Sequence, residues 1–270
     1  MFYSVVVELK ALETGVIPTY PGKKIHGMFF NVLKKASEEV SKKLHQNFNN
    51  KAFTVSSFLG KKVDEPVSIM KNKRYYIRLT FLNEKIFNLF TVTMFKNKIF
   101  KKEIYIENIK FSILRVIFDE EQSKWAGVLS IDELLSKKDY SNKIKLKFYT
   151  PTLFRVGDKH LRYPDAKKIY TGLLNKFNKY SEYKFNESIK EEFSNIKIIN
   201  KRIRKKRVFI NNFYLEGFVG DVEFEISQGN NELLKIVNIL SEFSFYAGIG
   251  YKTTMGMGQV RREHKECIAI

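Results

Sequence analysis

The stretch that most restricts the fold is Gly248-Ile249-Gly250-Tyr251-Lys252-Thr253-Thr254-Met255-Gly256-Met257-Gly258. Four of the chain's 14 glycines fall in these 11 positions. Residues 231–240 before it carry apolar side chains at the i, i+3, i+4 spacing of a helix. Residues 259–262 after it read as a short strand. The stretch is therefore expected to be a glycine-rich loop joining a helix to a last strand. Glycine reaches φ > 0 and has no Cβ, so its backbone can approach another group closely. Successive N–H groups in such a loop form an anion-binding concavity, to which Lys252 adds positive charge. A bare Gly-x-Gly is weak evidence, because most are turns. The case for a phosphate ligand rests on the rest of the chain.

Residues 3–9 alternate and are β-branched, which predicts a strand. Residues 11–22 hold Gly15, Pro18, Pro21 and Gly22 and read as loop. Helical spacing of Ile25, Met28, Phe29, Val32, Leu33, Ala36, Val40 and Leu44 predicts a helix from Ile25 to about Leu44. Strands follow at 52–59 and 74–81, a helix at 83–95, and an extended stretch at 104–118 broken near Asn108 or Lys110. The order is β-α-β-β-α-β. Residues 119–142, with the only tryptophan, Trp125, and a short acidic helix at 131–137, read as a connector. A second β-α-β-β-α-β run follows: a strand at 143–150, a helix at 164–180 opened by Pro164, strands at 196–210 and 214–226, a helix at 232–245, the loop and the last strand. The expected fold class is α+β, with two tandem ferredoxin-like (RRM-like) domains at 1–125 and 143–270 and a connector at 126–142.

Charge narrows the function classes. The chain has 48 Lys and Arg against 29 Asp and Glu, a net charge of +19. Such an excess concentrates polyanions and makes binding salt-dependent. Aromatic residues, 14% of the chain, are interleaved with the cations, a mixture that suits RNA, where bases stack on rings and cations meet phosphates. A genome rich in A and T accounts for the preference for Lys over Arg but not for the imbalance of charge. Six of the seven residues 201–207 are cationic: Lys201, Arg202, Arg204, Lys205, Lys206 and Arg207. On a strand, alternate cations project to opposite faces, so one face can follow a nucleic-acid backbone. Lys and Arg also guard edge strands against aggregation, but six exceed that need.

Other chemistries find little support. The single cysteine, Cys267, allows neither an internal disulfide nor a thiolate cage. No HxxxH, ExxH or Cys cluster suggests a protein-built metal site, and no P-loop or GxSxG elbow is present. No metal or cofactor is expected. The N-terminus lacks the basic region and cleavage site of a signal peptide, and no apolar run approaches a membrane span, so a cytoplasmic location is expected. Of the four histidines, His264 reads as a solvated tail residue and His160 as a loop residue among cations. His26 opens the first predicted helix and His45 closes it. A histidine at a helix C-terminus is either a capping cation or a proton-transfer group.

Gly217-Phe218-Val219-Gly220-Asp221-Val222, the helix after it, and residues 246–258 resemble the CRISPR-associated repeat-processing endoribonucleases, the sixth Cas family within the RAMP superfamily. Leu146-Lys147-Phe148-Tyr149-Thr150-Pro151-Thr152 with Tyr163-Pro164-Asp165 resembles the opening of that family's second half. Ile25-His26-Gly27-Met28-Phe29-Phe30, Leu44-His45 and Lys51-Ala52-Phe53-Thr54-Val55-Ser56 resemble its first half. The resemblance implies two ferredoxin-like domains that cut precursor CRISPR RNA within the repeat, without metal, to make guide RNAs for antiviral defence. It implies attack of a 2′-hydroxyl on the adjacent phosphorus, leaving a 2′,3′-cyclic phosphate and a 5′-hydroxyl. That chemistry needs a base, an acid and cations for the developing charge.

His45 matches the family's histidine in the Leu-His motif and is the first choice for acid or base. Lys51 matches a lysine that stabilises the phosphorane in some members. A tyrosine found in some members aligns with Phe30, which cannot ionise. His26, four residues before it on the same helix face, is a candidate for the missing role, or else a structural helix-start residue. Tyr20 is a weaker candidate. Gly248, Gly250, Lys252, Thr253, Gly256 and Gly258, with the cations of 201–207, are expected to contact RNA. The expected partner is CRISPR repeat RNA, with the chain a monomer or homodimer, alone or attached to a CRISPR effector complex. The competing reading is a non-catalytic RNA-binding subunit of such a complex, which would share the fold and loop but not the pairing of His45 with Lys51.

Overall fold

The computed structural model describes residues 1–18, 20–34, 52–96, 102–137, 140–210, 212–226 and 230–264. The first half holds strands β1 (Phe2–Ala11), β2 (Gly15–Ile17), β3 (Phe53–Val55), β4 (Val67–Ile69), β5 (Arg74–Phe81), β6 (Glu103–Ile106), β7 (Ile109–Ile117) and β8 (Gly127–Leu129). Its helices are α1 (Pro21–Lys34) and α2 (Glu84–Lys96), followed by the short α3 (Ile131–Ser136). The second half holds β9 (Lys143–Thr152), β10 (Phe154–Val156), β11 (Lys159–Leu161), α4 (Ala166–Tyr180), β12 (Lys197–Ile210), β13 (Phe213–Glu225), α5 (Asn231–Ala247) and β14 (Val260–Glu263).

The alternation in β1 and β5 builds the first sheet. Val5, Val7 and Leu9 of β1, with Ile77, Leu79 and Phe81 of β5, enter one core with Ile25, Phe29 and Leu33 of α1. The strand order is β3-β5-β1-β7-β6, with β8 also paired to β1. The second sheet runs β12-β13-β9-β14. In both, the first strand lies between the third and the last, and the second strand lies at the edge. That is the ferredoxin-like order, met twice in antiparallel sheets, as expected. The halves share a core: the Phe2 ring of β1 lies 4.7 Å from Phe243 of α5 and 6.1 Å from Phe177 of α4. Burying one such ring contributes about 1.5–3 kcal/mol.

The boundaries differ from the sequence reading at places with physical causes. The stretch 11–22 is not all loop, because β2 pairs with β4 and Pro21 is the first residue of α1. Proline suits that position, where its missing N–H would have no helical partner. Pro164 does not open α4. The Asp165 carboxylate accepts from the Lys168 N–H at 2.8 Å and starts the helix after itself. Only Phe53–Val55 of the stretch 52–59 is strand. The predicted break at Asn108 is a turn between β6 and β7, with Glu107 at φ 57°. The stretch 119–142 contributes β8 to the first sheet. Among the described residues no helix is long and apolar enough to cross a membrane.

Candidate nucleic-acid interface

The glycine-rich stretch is a loop, and its glycines shape it closely. Gly258 has φ 67°, and a Cβ there would lie 1.9 Å from the Ile249 carbonyl oxygen. Gly250 has φ 86°, and a Cβ there would lie 2.4 Å from the Leu153 oxygen. The backbone contacts follow from that closeness. Ile249 N–H donates to Gly258 O (2.9 Å), Tyr251 N–H to Leu153 O (2.8 Å) and Gly258 N–H to Pro151 O (3.1 Å). Met255 N–H donates to Lys252 O (2.9 Å). These amides bind the protein's own carbonyls, so the loop is first a brace laid on the β9–β10 corner. The open concavity of N–H groups expected from glycine content alone is replaced there by internal bonds. Gly248 closes α5, and the Lys176 ammonium donates to the carbonyls of Ala247 (2.8 Å) and Gly248 (3.1 Å). Thr253 is buried. Lys252 has a left-handed backbone, and its ammonium lies 4.9 Å from the Tyr251 ring centroid and 6.0 Å from that of Phe213.

His26, buried on α1, reaches the same loop. Its Nδ1 is 2.7 Å from the Thr254 carbonyl oxygen. A carbonyl only accepts, so Nδ1 carries the proton. The ring stands edge-on to Phe30 at 4.8 Å and lies 5.8 Å from Phe53. His45 and Lys51 lie outside the described residues. Tyr20 is buried beneath Gly256, packed with Leu153, Val208, Leu215 and Met257, and its hydroxyl has no hydrogen-bond partner among the described residues. Burial pushes its phenol up, so it does not serve as a base. Tyr20→Phe is expected to leave cleavage unchanged and to stabilise the chain by about 1 kcal/mol, because a buried unpaired hydroxyl is removed. Thermal melts and a cleavage assay check this, and a large loss of cleavage would restore Tyr20 as a candidate. The His160 ring lies 5.8 Å from that of Tyr251. His264 is not simply solvated, since its Nε2 lies 3.2 Å from the Glu242 carboxylate.

The cation run forms the middle half of β12, the edge strand of the second sheet. Val208, Ile210 and Leu215 tie the turn end of the β12–β13 hairpin to Tyr20 and Met257. Register sets the charge pattern. Arg207 faces Glu216 across the pair and donates from Nε at 2.7 Å. Lys205 and Arg162 also approach Glu216, at 3.6 and 3.5 Å. Arg207 foremost holds that carboxyl below its ordinary pKa. Lys206 pairs with Asp64 of the first half. Lys201, Arg202 and Arg204 form no ion pair among the described residues and are exposed. By contrast, Lys145 and Lys147 on the open face of the sheet are matched to Glu263, at 2.6 and 3.2 Å. Among the described strands of the second sheet, unmatched positive charge therefore lies on the edge strand. Among the described residues no group of three or more His, Cys, Asp or Glu side chains converges as a metal site.

Two ferredoxin-like sheets thus stand in tandem, the second edged by cations that form no ion pair among the described residues. A family model of the CRISPR Cas6 N-terminal domain matches residues 1–136, and one of the CRISPR-associated endoribonuclease Cas6 matches residues 146–260. The chain belongs to the CRISPR-associated endoribonuclease Cas6 family. Its relatives include the Cas6 endoribonuclease of Streptococcus thermophilus, 22% identical over 175 residues, covering 63% of this chain and 72% of that protein. A solved Cas6 product complex is 26% identical, with a TM-score of 0.84, covering 97% of this chain and 99% of that one. A Thermus thermophilus Cas6 structure is 25% identical, with a TM-score of 0.74, over 97% and 98% of the two chains. The chain is thus an RNA endonuclease of CRISPR RNA processing.

Proposed function

We propose that the chain cuts CRISPR repeat RNA without metal, through attack of a 2′-hydroxyl on the adjacent phosphorus, giving a 2′,3′-cyclic phosphate and a 5′-hydroxyl. The observation that carries this reading is the match of Leu44-His45 and Lys51 to the family's motif in a chain that matches the family over both halves. His45 moves a proton, and Lys51 offsets the charge of the phosphorane. His26 anchors α1 to the loop through Thr254 and is the candidate for the role left open at Phe30. Residues 1–125 carry the chemistry, and residues 143–270 hold the RNA on β12 and the glycine-rich loop. The protein acts in the cytoplasm as a monomer or homodimer, free or attached to an effector complex. The test is incubation with cognate repeat RNA in EDTA, with the cut and its end groups mapped. A cyclic phosphate and a 5′-hydroxyl are expected, and a strict need for a divalent ion overturns the mechanism.

The RNA contact has its own test. Replacing Lys201, Arg202 and Arg204 by Gln is expected to weaken binding and lower the slope of log affinity against log salt by roughly 0.7 to 0.9 per lost phosphate contact. An unchanged slope means that these three cations do not meet the backbone.

A further inference from the structure

Among the described residues Arg78 heads the fully buried large side chains, and it lies where the two halves meet. Ile77 and Leu79 on either side enter the first core, so Arg78 projects from the opposite face of β5. It is 1% exposed. No carboxylate accepts from it among the described residues. Its Nε donates to Ser4 Oγ (2.8 Å) and to the Trp125 carbonyl (3.1 Å). One Nη donates to Gln259 Oε1 (2.8 Å) and the other to the Phe245 carbonyl (2.6 Å). Its guanidinium carbon lies 3.8 Å from the Phe245 ring centroid and 5.3 Å from that of Trp125. Burial pulls its pKa down to about 9, which still leaves it cationic at neutral pH.

Two of its four partners flank the glycine-rich loop. Phe245 lies at the end of α5, just ahead of the glycine-rich loop, and Gln259 is the first residue after Gly258. The bonds around Arg78 continue the pattern. Thr80 Oγ1 donates to the Tyr246 carbonyl (2.6 Å), and Gln259 Nε2 donates to the Val55 carbonyl (3.2 Å). Both ends of the loop are thus tied to β5 and β3 of the first sheet. Strand β3 begins at Phe53, just beyond Lys51. A buried guanidinium without a counter-charge is a poor source of stability, and an apolar side chain of like volume would do better. What it supplies is geometry, because its planar fork holds several acceptors at fixed mutual positions.

We propose that Arg78 is a positioning residue that sets the glycine-rich loop of the second half against β3 and β5 of the first, and so fixes where bound RNA meets the catalytic residues. The inference rests on the RNA-cleaving reading given above. Its test uses the full chain with Arg78→Lys, Arg78→Met and the milder Gln259→Met, which leaves the guanidinium its other three acceptors. Three quantities are measured: thermal stability, affinity for repeat RNA with a 2′-deoxy sugar at the cut site, and the single-turnover rate constant at saturating protein. Folded variants are expected to bind within about threefold of wild type. Their rate constant should fall by on the order of 100-fold for Arg78 and on the order of tenfold for Gln259. Lysine should not rescue, because one ammonium cannot span the four acceptors.

A purely structural residue would lower the melting temperature and leave the rate constant of the folded fraction unchanged. That result, or a loss confined to affinity, overturns the proposal. If both Arg78 variants unfold, a wild-type rate constant in Gln259→Met overturns it equally. If the unaltered chain binds repeat RNA but never cuts it, the functional reading falls. The positional tie is then read from hydrogen exchange at the amides of Ile249, Tyr251 and Gly258. Exchange should be at least about tenfold faster in Arg78→Lys, and unchanged protection refutes the tie.

Discussion

The His45→Ala chain is expected to hold repeat RNA with nearly wild-type affinity and to lose cleavage. Attack by a 2′-hydroxyl requires that proton to leave and the departing 5′-oxygen to gain one. Imidazole is the side chain whose ordinary pKa best suits such transfers near neutral pH. A positioned acid or base contributes about 10²–10⁴-fold to a rate, so losing it brings cutting near the background of an assay. Affinity is set elsewhere. In the proposed RNA contact it is expected to draw on the unmatched cations Lys201, Arg202 and Arg204 of β12 and on the summed field of a +19 chain. A single imidazole adds little to either. Lys51→Ala should be graded between the two, with binding slightly weakened and the rate lowered by about 10²–10³-fold, as for removal of a donor to a developing oxyanion. The measurement is a single-turnover time course at saturating protein, paired with binding of a 2′-deoxy repeat. Undiminished cleavage by His45→Ala would remove that residue from the mechanism.

The elements legible in the sequence were those whose period runs long enough to be unambiguous. Strand β5 was read at its observed ends, because Tyr75, Ile77, Leu79 and Phe81 alternate with polar neighbours over its whole length. Three-residue strands such as β2, β8 and β10 carry no such period; β2 and β8 exist because β4 and β1 lie beside them. The same distinction governs the interface. Residues 201–207 announce a cationic strand. That Glu216 matches part of its charge follows only from the register of β12 on β13. Glycine content announced a loop with unusual backbone. It did not reveal where the amides point, because their acceptors on Pro151 and Leu153 are remote in the chain. Arg78 was the least legible residue of all. In Arg74-Tyr75-Tyr76-Ile77-Arg78 it occupies the polar phase of an alternating strand, which reads as a solvated face. It is buried because α5, Trp125 and Gln259 all pack on that face.

The glycine-rich loop yields the second large effect. Gly258→Ala is expected to destabilise the chain by about 3–5 kcal/mol, a large share of the roughly 5–15 kcal/mol typical of a folded protein. Two costs add. An alanine held at φ 67° pays about 1–2 kcal/mol for its left-handed backbone. Its Cβ would also lie 1.9 Å from the Ile249 oxygen and 2.9 Å from the Ile249 carbonyl carbon, both backbone atoms that no rotamer change can move aside. Relief requires the two strands of the loop to part. That breaks the Ile249 N–H to Gly258 O bond and strains the Gly258 N–H to Pro151 O bond. Gly172→Ala is the matched control. It sits within α4, and a Cβ there meets nothing within 4 Å, so alanine should stabilise the helix by about 1 kcal/mol. Thermal melts should therefore move in opposite directions, downward by on the order of 10 °C for Gly258→Ala and upward by a few degrees for Gly172→Ala. A parted loop also shifts Gln259 away from Arg78 and Thr254 away from His26. The parting of the loop itself, which the Arg78 and Gln259 variants leave closed, should make Gly258→Ala, unlike His45→Ala, weaken RNA binding as well as cleavage, even at temperatures where it remains folded. A wild-type melting temperature would show that the loop does not brace the two halves.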